Sequence, residues 1–339
     1  MKTILFDKNS SLEQAAEIIK NGGLVAFPTE TVYGLGANAL DSSAAEKTYK
    51  AKGRPSDNPL IIHLACADDV EKYAYVNETF NEIAKLFMPG PITVVLPKKE
   101  IIPKTVTGGL DTVAVRIPSN ETARKLISLA GVPISAPSAN ISGRPSCTSF
   151  DHVVEDMFGR IDGIIDGGDS AIGLESTIVI PCDGMHLKLL RPGGITVEML
   201  CDAGFTVEID KVVTQKLSDN ERPLAPGMKY RHYSPRAKVV LLEGNEEKIK
   251  EFLYSKANEN DTAVILYNEE LDHAGKNTVY IGGKDDEKTQ AKLLFSLLRS
   301  FDANKDIKTV YARVPSTKKL GLAIYNRLVK AAGYTVIEL

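Results

Sequence analysis

Cysteine, histidine and long apolar runs are all scarce in this chain, and each scarcity removes a class of function. The 339 residues contain 4 cysteines and 5 histidines. Cys66, Cys147, Cys182 and Cys201 lie far apart and form no C-x-x-C pair. That spacing argues against a structural zinc site and against a disulfide framework, and predicts buried thiols in a reducing compartment. No apolar run approaches the roughly 18 residues that a membrane span requires. The opening residues, MKTILFDKNS, carry one early lysine but no long apolar region, so no secretory leader is expected and the chain reads as cytoplasmic. Three catalytic signatures are also missing. The chain has no G-x-S-x-G elbow, no H-E-x-x-H and no G-x-x-x-x-G-K-[ST] phosphate loop, which leaves serine hydrolase, zincin and P-loop readings without support.

Charge of one sign is absent too. A formal net charge of -3 gives no global pull toward nucleic acid or an acidic membrane, so any anionic ligand must be held by a local group of cations. The 43% hydrophobic and 25% charged composition is that of an ordinary soluble protein. At about 150 residues per domain the length predicts two domains.

The first 207 residues read as strands and helices in irregular alternation. Helices are predicted over 11–20, 43–50, 68–75, 81–87 and 120–130. LVAFP (24–28), IIHLA (61–65), ITVVLP (92–97), TVAVRIP (112–118), VPISA, GIIDG and STIVIP supply strands. This pattern predicts a mixed sheet with helices packed on it. Residues 208–236 include Pro223, Pro226 and Pro235 and no sustained periodicity, the texture of a linker. From 237 to 339 the pattern becomes regular. AKVVLLEG, TAVILY, TVYIGG, TVYARVP and TVIEL alternate with helices over 246–257, 285–301 and 317–332, as in a small doubly wound α/β domain. No G-x-G-x-x-G follows its first strand, so a dinucleotide role is unsupported there.

The residues able to do chemistry concentrate in the first domain. PTETVYGLG (28–36) sets Thr29, Glu30 and Thr31 just after a buried strand, with Gly34 and Gly36 permitting close approach of a ligand. KGRPSDNP (52–59) offers Lys52 as a point charge and Arg54 as a planar fork, a pattern suited to phosphate oxygens. In TVAVRIP, Thr112, Ala114 and Arg116 share one strand face. An arginine among apolar strand residues needs a partner: a carboxylate of the protein, or the carboxylate or phosphate of a ligand. SAPSANISGRPS (135–146) can present hydroxyls and backbone N–H groups to an anion. Ser176, Thr177 and Arg191 follow in GLESTIVI and LRPGGI. Lys52, Arg54, Arg144 and Arg191 together could manage a triphosphate, leaving Arg116 for a carboxylate. No protein nucleophile stands out, which favours positioning and charge stabilisation over covalent catalysis.

In combination, PTETVYGLG, the Lys52/Arg54 pair, the Arg116 strand and the Ser138/Asn140 pair resemble the signature of YrdC-like domains, over roughly residues 4–206. PGMKYRHYSP (226–235) and the regular C-terminal domain extend the resemblance to the long, two-domain threonylcarbamoyl-AMP synthases. The resemblance implies an α/β fold: a twisted mixed-sheet YrdC-like domain joined by a linker to a smaller Rossmann-like domain. Expected boundaries are 1–207, 208–236 and 237–339. It implies a nucleotidyltransferase that converts L-threonine, bicarbonate and ATP, with Mg²⁺, to L-threonylcarbamoyladenylate and pyrophosphate. The product would pass to a tRNA threonylcarbamoyl transferase complex.

Carried onto this chain, the resemblance places Thr31, His63, Arg116, Ala136 and Ser176 around threonine. It places Arg54, Asn58, Thr112, Ser138, Ser146 and Arg191 around ATP, and makes Lys52, Arg54, Ser138 and Asn140 the catalytic set. The linker becomes a lid, with Tyr230 and His232 reaching the nucleotide. No metal-ligating side chain is implied. Two rivals stand beside it. A structured-RNA-binding module without ATP turnover is the alternative, although a net charge of -3 gives little of the broad cationic footprint that RNA phosphates need. A carbamoyl-transfer maturation factor would carry zinc-finger-like segments, and no C-x-x-C pair is present.

Overall fold

The computed structural model describes residues 2–7, 10–217, 221, 223–229 and 232–339. Two compact units account for them. The first is 1–142 with 146–171 and 175–229, and the second is 230–339 with the short stretches 143–145 and 172–174.

In the first unit β1 (Ile4–Phe6) leads to α1 (Leu12–Lys20), then to β2 (Val25–Phe27) and β3 (Gly34–Asn38). After α2 (Ser42–Lys52) come β4 (Ile61–His63), α3 (Glu78–Phe87), β5 (Ile92–Pro97) and β6 (Thr112–Arg116). Next are α4 (Glu121–Ala130), β7 (Ile134–Ser135), α5 (Phe150–Met157) and β8 (Gly163–Ile165). β9 (Thr177–Pro181), β10 (His186–Arg191), α6 (Val197–Asp202) and β11 (Thr206–Ile209) complete it. The strands form one 11-stranded mixed sheet, ordered β1-β8-β2-β3-β7-β4-β6-β5-β9-β10-β11.

The two-residue alternation of a strand decides which helices lie where. Val25 and Phe27 face α1 and α4, packing on Ala15, Ile19, Ala123 and Leu126. Leu24 and Ala26 face the opposite way, toward Ala44 of α2 and Val153 and Met157 of α5. Side-chain caps fix several helix starts, with Asn77, Asn120 and Ser149 accepting from the amides of Phe80, Ala123 and His152.

Two elements differ from the expectation. The stretch 68–75 is a short 3-10 helix, Ala67–Lys72, in which only Val70 is buried, so it has no apolar stripe to support an α-helix. The glycine-rich 34–38 is a strand. Phe27 lies against it: a Cβ at Gly34 would sit 3.2 Å from Phe27 Cζ, and one at Gly36 3.0 Å from Phe27 Cε1. Glycine is required there by a neighbouring ring as well as by turns. The thiols also depart from prediction: Cys147 is buried, but Cys66, Cys182 and Cys201 are exposed.

The segment expected to be a linker begins inside the sheet, because β11 runs to Ile209. Val212, Leu217, Ala225 and Met228 then pack on Ile61, Val95, Ala114 and Leu190 of the same unit. Those four apolar residues lie far apart along an irregular stretch, which hides their common face from a periodicity reading.

The second unit holds β12 (Lys238–Glu243), α7 (Glu246–Lys256), β13 (Thr262–Leu266), β14 (Thr278–Tyr280), α8 (Glu287–Ser300), β15 (Thr309–Arg313), α9 (Gly321–Ala331) and β16 (Val336–Glu338). Its five strands are ordered β14-β13-β15-β12-β16 and pair in parallel throughout. A buried ion pair marks the carboxyl ends of β13 and β15. Arg313 Nη1 and Nη2 donate to the two Glu270 oxygens at 3.1 and 2.6 Å, and the Tyr254 hydroxyl donates to Glu270 Oε1 at 2.8 Å. Removing Glu270 leaves the buried Arg313 charge only the half-exposed Glu246, 3.4 Å from its Nε. Glu270→Ala should therefore lower stability by about 3–5 kcal/mol in urea unfolding, whereas replacing Glu270 and Arg313 together by apolar residues of similar volume should cost much less.

Candidate active site

Sheet register assembles the centre of the site. β4 and β6 run parallel, with His63 opposite Arg116 at their last residues. β5 runs antiparallel to β6 and sets Thr93 opposite Arg116 on the other side. Registered residues share a face, so His63, Arg116 and Thr93 form a polar row across three strands. Two residues away, Ile61, Ala114 and Val95 lie on that face too, covered by Val212, Leu217, Ala225 and Met228. The row extends through Ser176, whose hydroxyl is 2.8 Å from that of Thr93. Arg191, the last residue of β10, donates from Nε to Ser176 O at 3.1 Å and from Nη2 to Ser176 Oγ at 3.2 Å. Its Nη1 reaches Pro226 O at 3.4 Å, tying the covering segment to the row.

The loop after β2 meets this row. Thr29 donates its hydroxyl to Val32 O at 2.6 Å and lies 2.8 Å from the Thr31 hydroxyl, which tightens the turn. Glu30 is thereby brought to Arg116, whose Nη2 donates to Glu30 Oε1 at 2.7 Å. Both side chains are nearly fully buried, with 5% and 10% of their surface exposed. The sequence left Arg116 a choice between a protein carboxylate and a ligand, and the protein partner is Glu30. Burial pushes the Glu30 carboxyl up, but the Arg116 charge and hydrogen bond and the Glu30 and Ser119 amides outweigh it, so Glu30 stays below its ordinary value and ionised. Burial lowers His63 to about 3, and the adjacent Arg116 charge adds to the effect. His63 is therefore a neutral imidazole, its Nδ1 3.2 Å from Ile61 O and its ring edge-on to Phe27.

A second polar group gathers around the loop 136–140. Leu35 N donates to Pro137 O and Ala139 N to Tyr33 O, both at 2.8 Å, so the PTETVYGLG and SAPSAN motifs are hydrogen-bonded side by side. Lys52 ends α2 buried. Its ammonium donates to Ser138 O at 2.5 Å and also to Asn140 O. Lys52 thus holds the loop, a role the sequence did not suggest. Ser138 donates its hydroxyl to Asn140 Oδ1 at 2.5 Å, and Asn140 Nδ2 donates to Ile141 O at 2.8 Å. Arg54 points its guanidinium at its own loop, donating to Asn58 O at 3.3 Å and Pro59 O at 3.0 Å.

The remaining expected residues fall as follows. Asn58 is buried at the end of that loop, and Thr112 opens β6 on the Arg116 face. Thr31 and Ala136 are buried, and Ala136 N donates to Ile61 O at 2.8 Å. Ser146 donates to Glu175 Oε1 at 2.5 Å, a buried pairing between residues 29 positions apart that no local pattern marks. His232 belongs to the second unit, its ring 5.5 Å from that of Tyr233. Tyr230 lies outside the described residues. Thr93 was missed because a threonine in a β-branched strand carries no signal of its own; register alone exposes it. Gly193 has a comparable constraint. A Cβ there would lie 2.4 Å from Thr177 N and 2.5 Å from Glu175 O, so the turn after Arg191 presses on the backbone that carries Ser176.

Residues 17–193 match the family described as "Telomere recombination" (Sua5/YciO/YrdC), and 195–333 match "Threonylcarbamoyl-AMP synthase, C-terminal domain". The chain belongs to the Sua5/YciO/YrdC family, in its two-domain form, as the motifs implied. It is 46% identical to the threonylcarbamoyl-AMP synthase of Pyrococcus abyssi over 345 residues, covering 99% of each chain. It is 42% identical to the enzyme of that name from Bacillus subtilis, covering 98% of this chain and 96% of the other. The structure of P. abyssi Sua5 complexed with L-threonine superposes with a TM-score of 0.91 at 44% identity, covering 100% of both chains. Among the described residues no helix is long and apolar enough to cross a membrane.

The neutrality of His63 has a measurable consequence. Its pKa is ordinarily near 6.5 and is depressed in the folded protein, so its contribution is complete above pH 6.5 and is lost as pH falls toward about 3. Over that window stability should fall more steeply with decreasing pH in the wild type than in His63→Gln, by about 1 kcal/mol per pH unit, read as the difference between their urea-unfolding free energies. Parallel pH profiles would contradict the assignment.

Proposed function

We propose that this chain is a nucleotidyltransferase that makes L-threonylcarbamoyladenylate and pyrophosphate from L-threonine, bicarbonate and ATP. The observation that carries the reading is the 46% identity, over 99% of both chains, to a protein named threonylcarbamoyl-AMP synthase. The reaction is assigned to the polar groups described above. The row of His63, Arg116, Thr93 and Ser176 is an amino-acid subsite, with Arg116 offered to the substrate carboxylate and Thr31 and Ala136 closing around it. Arg54, Asn58, Thr112, Ser138, Ser146 and Arg191 serve ATP. Lys52 and Asn140 keep the Ser138 loop in the shape the nucleotide meets. The assignment of Tyr230 and His232 to the nucleotide rests on the resemblance alone.

In the proposed sequence, threonine and bicarbonate first condense. The threonine ammonium gives up one proton, its nitrogen bonds to the bicarbonate carbon, water leaves, and N-carboxythreonine remains as its carbamate. A carbamate oxygen then attacks the α-phosphorus of ATP and expels pyrophosphate. The nucleophile comes from the substrate, in keeping with a site of hydroxyls and cations held for positioning. Among the described residues no group of three or more His, Cys, Asp or Glu is arranged to hold a metal. Mg²⁺ is proposed to arrive with ATP, held by phosphates and water. The product, a hydrolysable mixed anhydride, calls for water exclusion, and the packed Val212, Leu217, Ala225 and Met228 are suited to provide it. It would pass to a tRNA threonylcarbamoyl transferase complex in the cytoplasm. Binding of structured RNA without turnover, the alternative, has no comparable support; weak RNA binding beside the reaction is compatible with it.

Pyrophosphate release from ATP should require threonine, bicarbonate and Mg²⁺ together and should yield a product of the threonylcarbamoyl-AMP mass. Release that needs neither threonine nor bicarbonate would overturn the reading. Arg116→Ala should raise the KM for threonine by at least about 100-fold, the worth of a buried bidentate charge contact, and that for ATP far less. Equal damage to both constants would remove Arg116 from the amino-acid subsite.

A further inference from the structure

The Arg116–Glu30 pair satisfies only part of itself. Arg116 Nη2 and Glu30 Oε1 meet at 2.7 Å, yet Arg116 Nε and Glu30 Oε2 are buried with no well-formed hydrogen bond, the Glu30 and Ser119 amides lying only close enough to favour the carboxylate's charge. Both side chains are more than nine-tenths buried or nearly so, at 4% and 9% residue exposure. A buried charged donor and a buried charged acceptor left unmatched are costly, and most such groups in folded proteins are matched. Here they occur on the two members of one ion pair. That presents a cationic donor and an anionic acceptor side by side.

One ligand class answers both. An α-amino acid carries a carboxylate and an ammonium on the same carbon, an acceptor for Arg116 and a donor for Glu30. A simple carboxylic acid would match the arginine and bring a second carboxylate toward Glu30. An amine without a carboxylate would match the glutamate and bring a cation toward Arg116. His63, neutral beside the pair, adds no third charge that would disturb the complement. We infer that Glu30 is a specificity-determining residue, recognising the α-ammonium of the amino-acid substrate through Oε2 while Arg116 takes the carboxylate. This rests on the proposed threonine-using reaction and adds to it the group that selects an amino acid over other hydroxy acids. Glu30 then also holds the nitrogen that must bond to bicarbonate, fixing its position before it loses a proton.

Titration calorimetry of the full-length protein with L-threonine, with 3-hydroxybutanoate (threonine without its amine) and with ATP tests this. The wild type should bind threonine at least about 10-fold more tightly than 3-hydroxybutanoate, the worth of one charge-assisted hydrogen bond. Glu30→Gln keeps the size and one acceptor but loses the charge. It should lose about 10-fold or more in threonine affinity, hold or gain affinity for 3-hydroxybutanoate, and keep its ATP affinity. A Glu30→Gln protein that binds ATP and still prefers threonine as the wild type does would overturn the inference and leave the reaction intact. Should Glu30→Gln not fold, the wild type alone decides, since equal affinity for the two ligands overturns it. A wild type that binds neither threonine nor ATP fails at the proposed function itself.

Discussion

A guanidinium and a carboxylate buried together in the middle of a sheet are the constraint around which the first unit is arranged. Arg116 and Glu30 are both removed from water and meet at 2.7 Å. In a site of low dielectric such a pair is worth keeping only if its geometry is enforced, because either charge alone would be strongly destabilising. The enforcement is visible on every side. The β4–β6–β5 register fixes where Arg116 stands. The Thr29 turn fixes where Glu30 arrives. Burial keeps His63 neutral, so no second cation competes for the glutamate.

The same logic governs the surrounding loops. Lys52 spends its charge on the carbonyls of Ser138 and Asn140, so a cation expected to meet phosphate instead organises the loop beside it. Arg191 binds the Ser176 backbone and hydroxyl and at the same time Pro226 O, joining the end of β10 to the segment packed beside the row on Ile61, Val95 and Ala114. Gly193 allows that turn to press within 2.4 Å, measured from an added Cβ, of the Thr177 amide. The loops of the site are hydrogen-bonded to one another, the kind of fixed geometry that catalysis by positioning demands.

Much of this was legible in the sequence, and the failures have physical reasons. Strands rich in β-branched residues, such as 92–97 and 112–116, were found because their composition and alternation agree. The regular second unit was found for the same reason. β3 was not, since glycines that make room for Phe27 look like turn formers when the ring is unseen. Arg116 and Glu30 were each picked out, but their meeting depends on a loop geometry 86 positions apart that no local pattern encodes. Thr93 and Glu175 lacked even a local signal. Motif residues carry their chemistry in sequence; the partners that tune them are set by register and loop closure, and appear only in three dimensions.

If the buried Arg116–Glu30 pair is the heart of an amino-acid subsite, a crystal structure of this protein with L-threonine will show it. The threonine carboxylate should lie on Arg116 and its ammonium on Glu30 Oε2, each at about 2.7–2.9 Å, the range for charge-assisted hydrogen bonds. Threonine bound away from the His63–Arg116–Thr93 row, with the Arg116–Glu30 pair untouched, would contradict it.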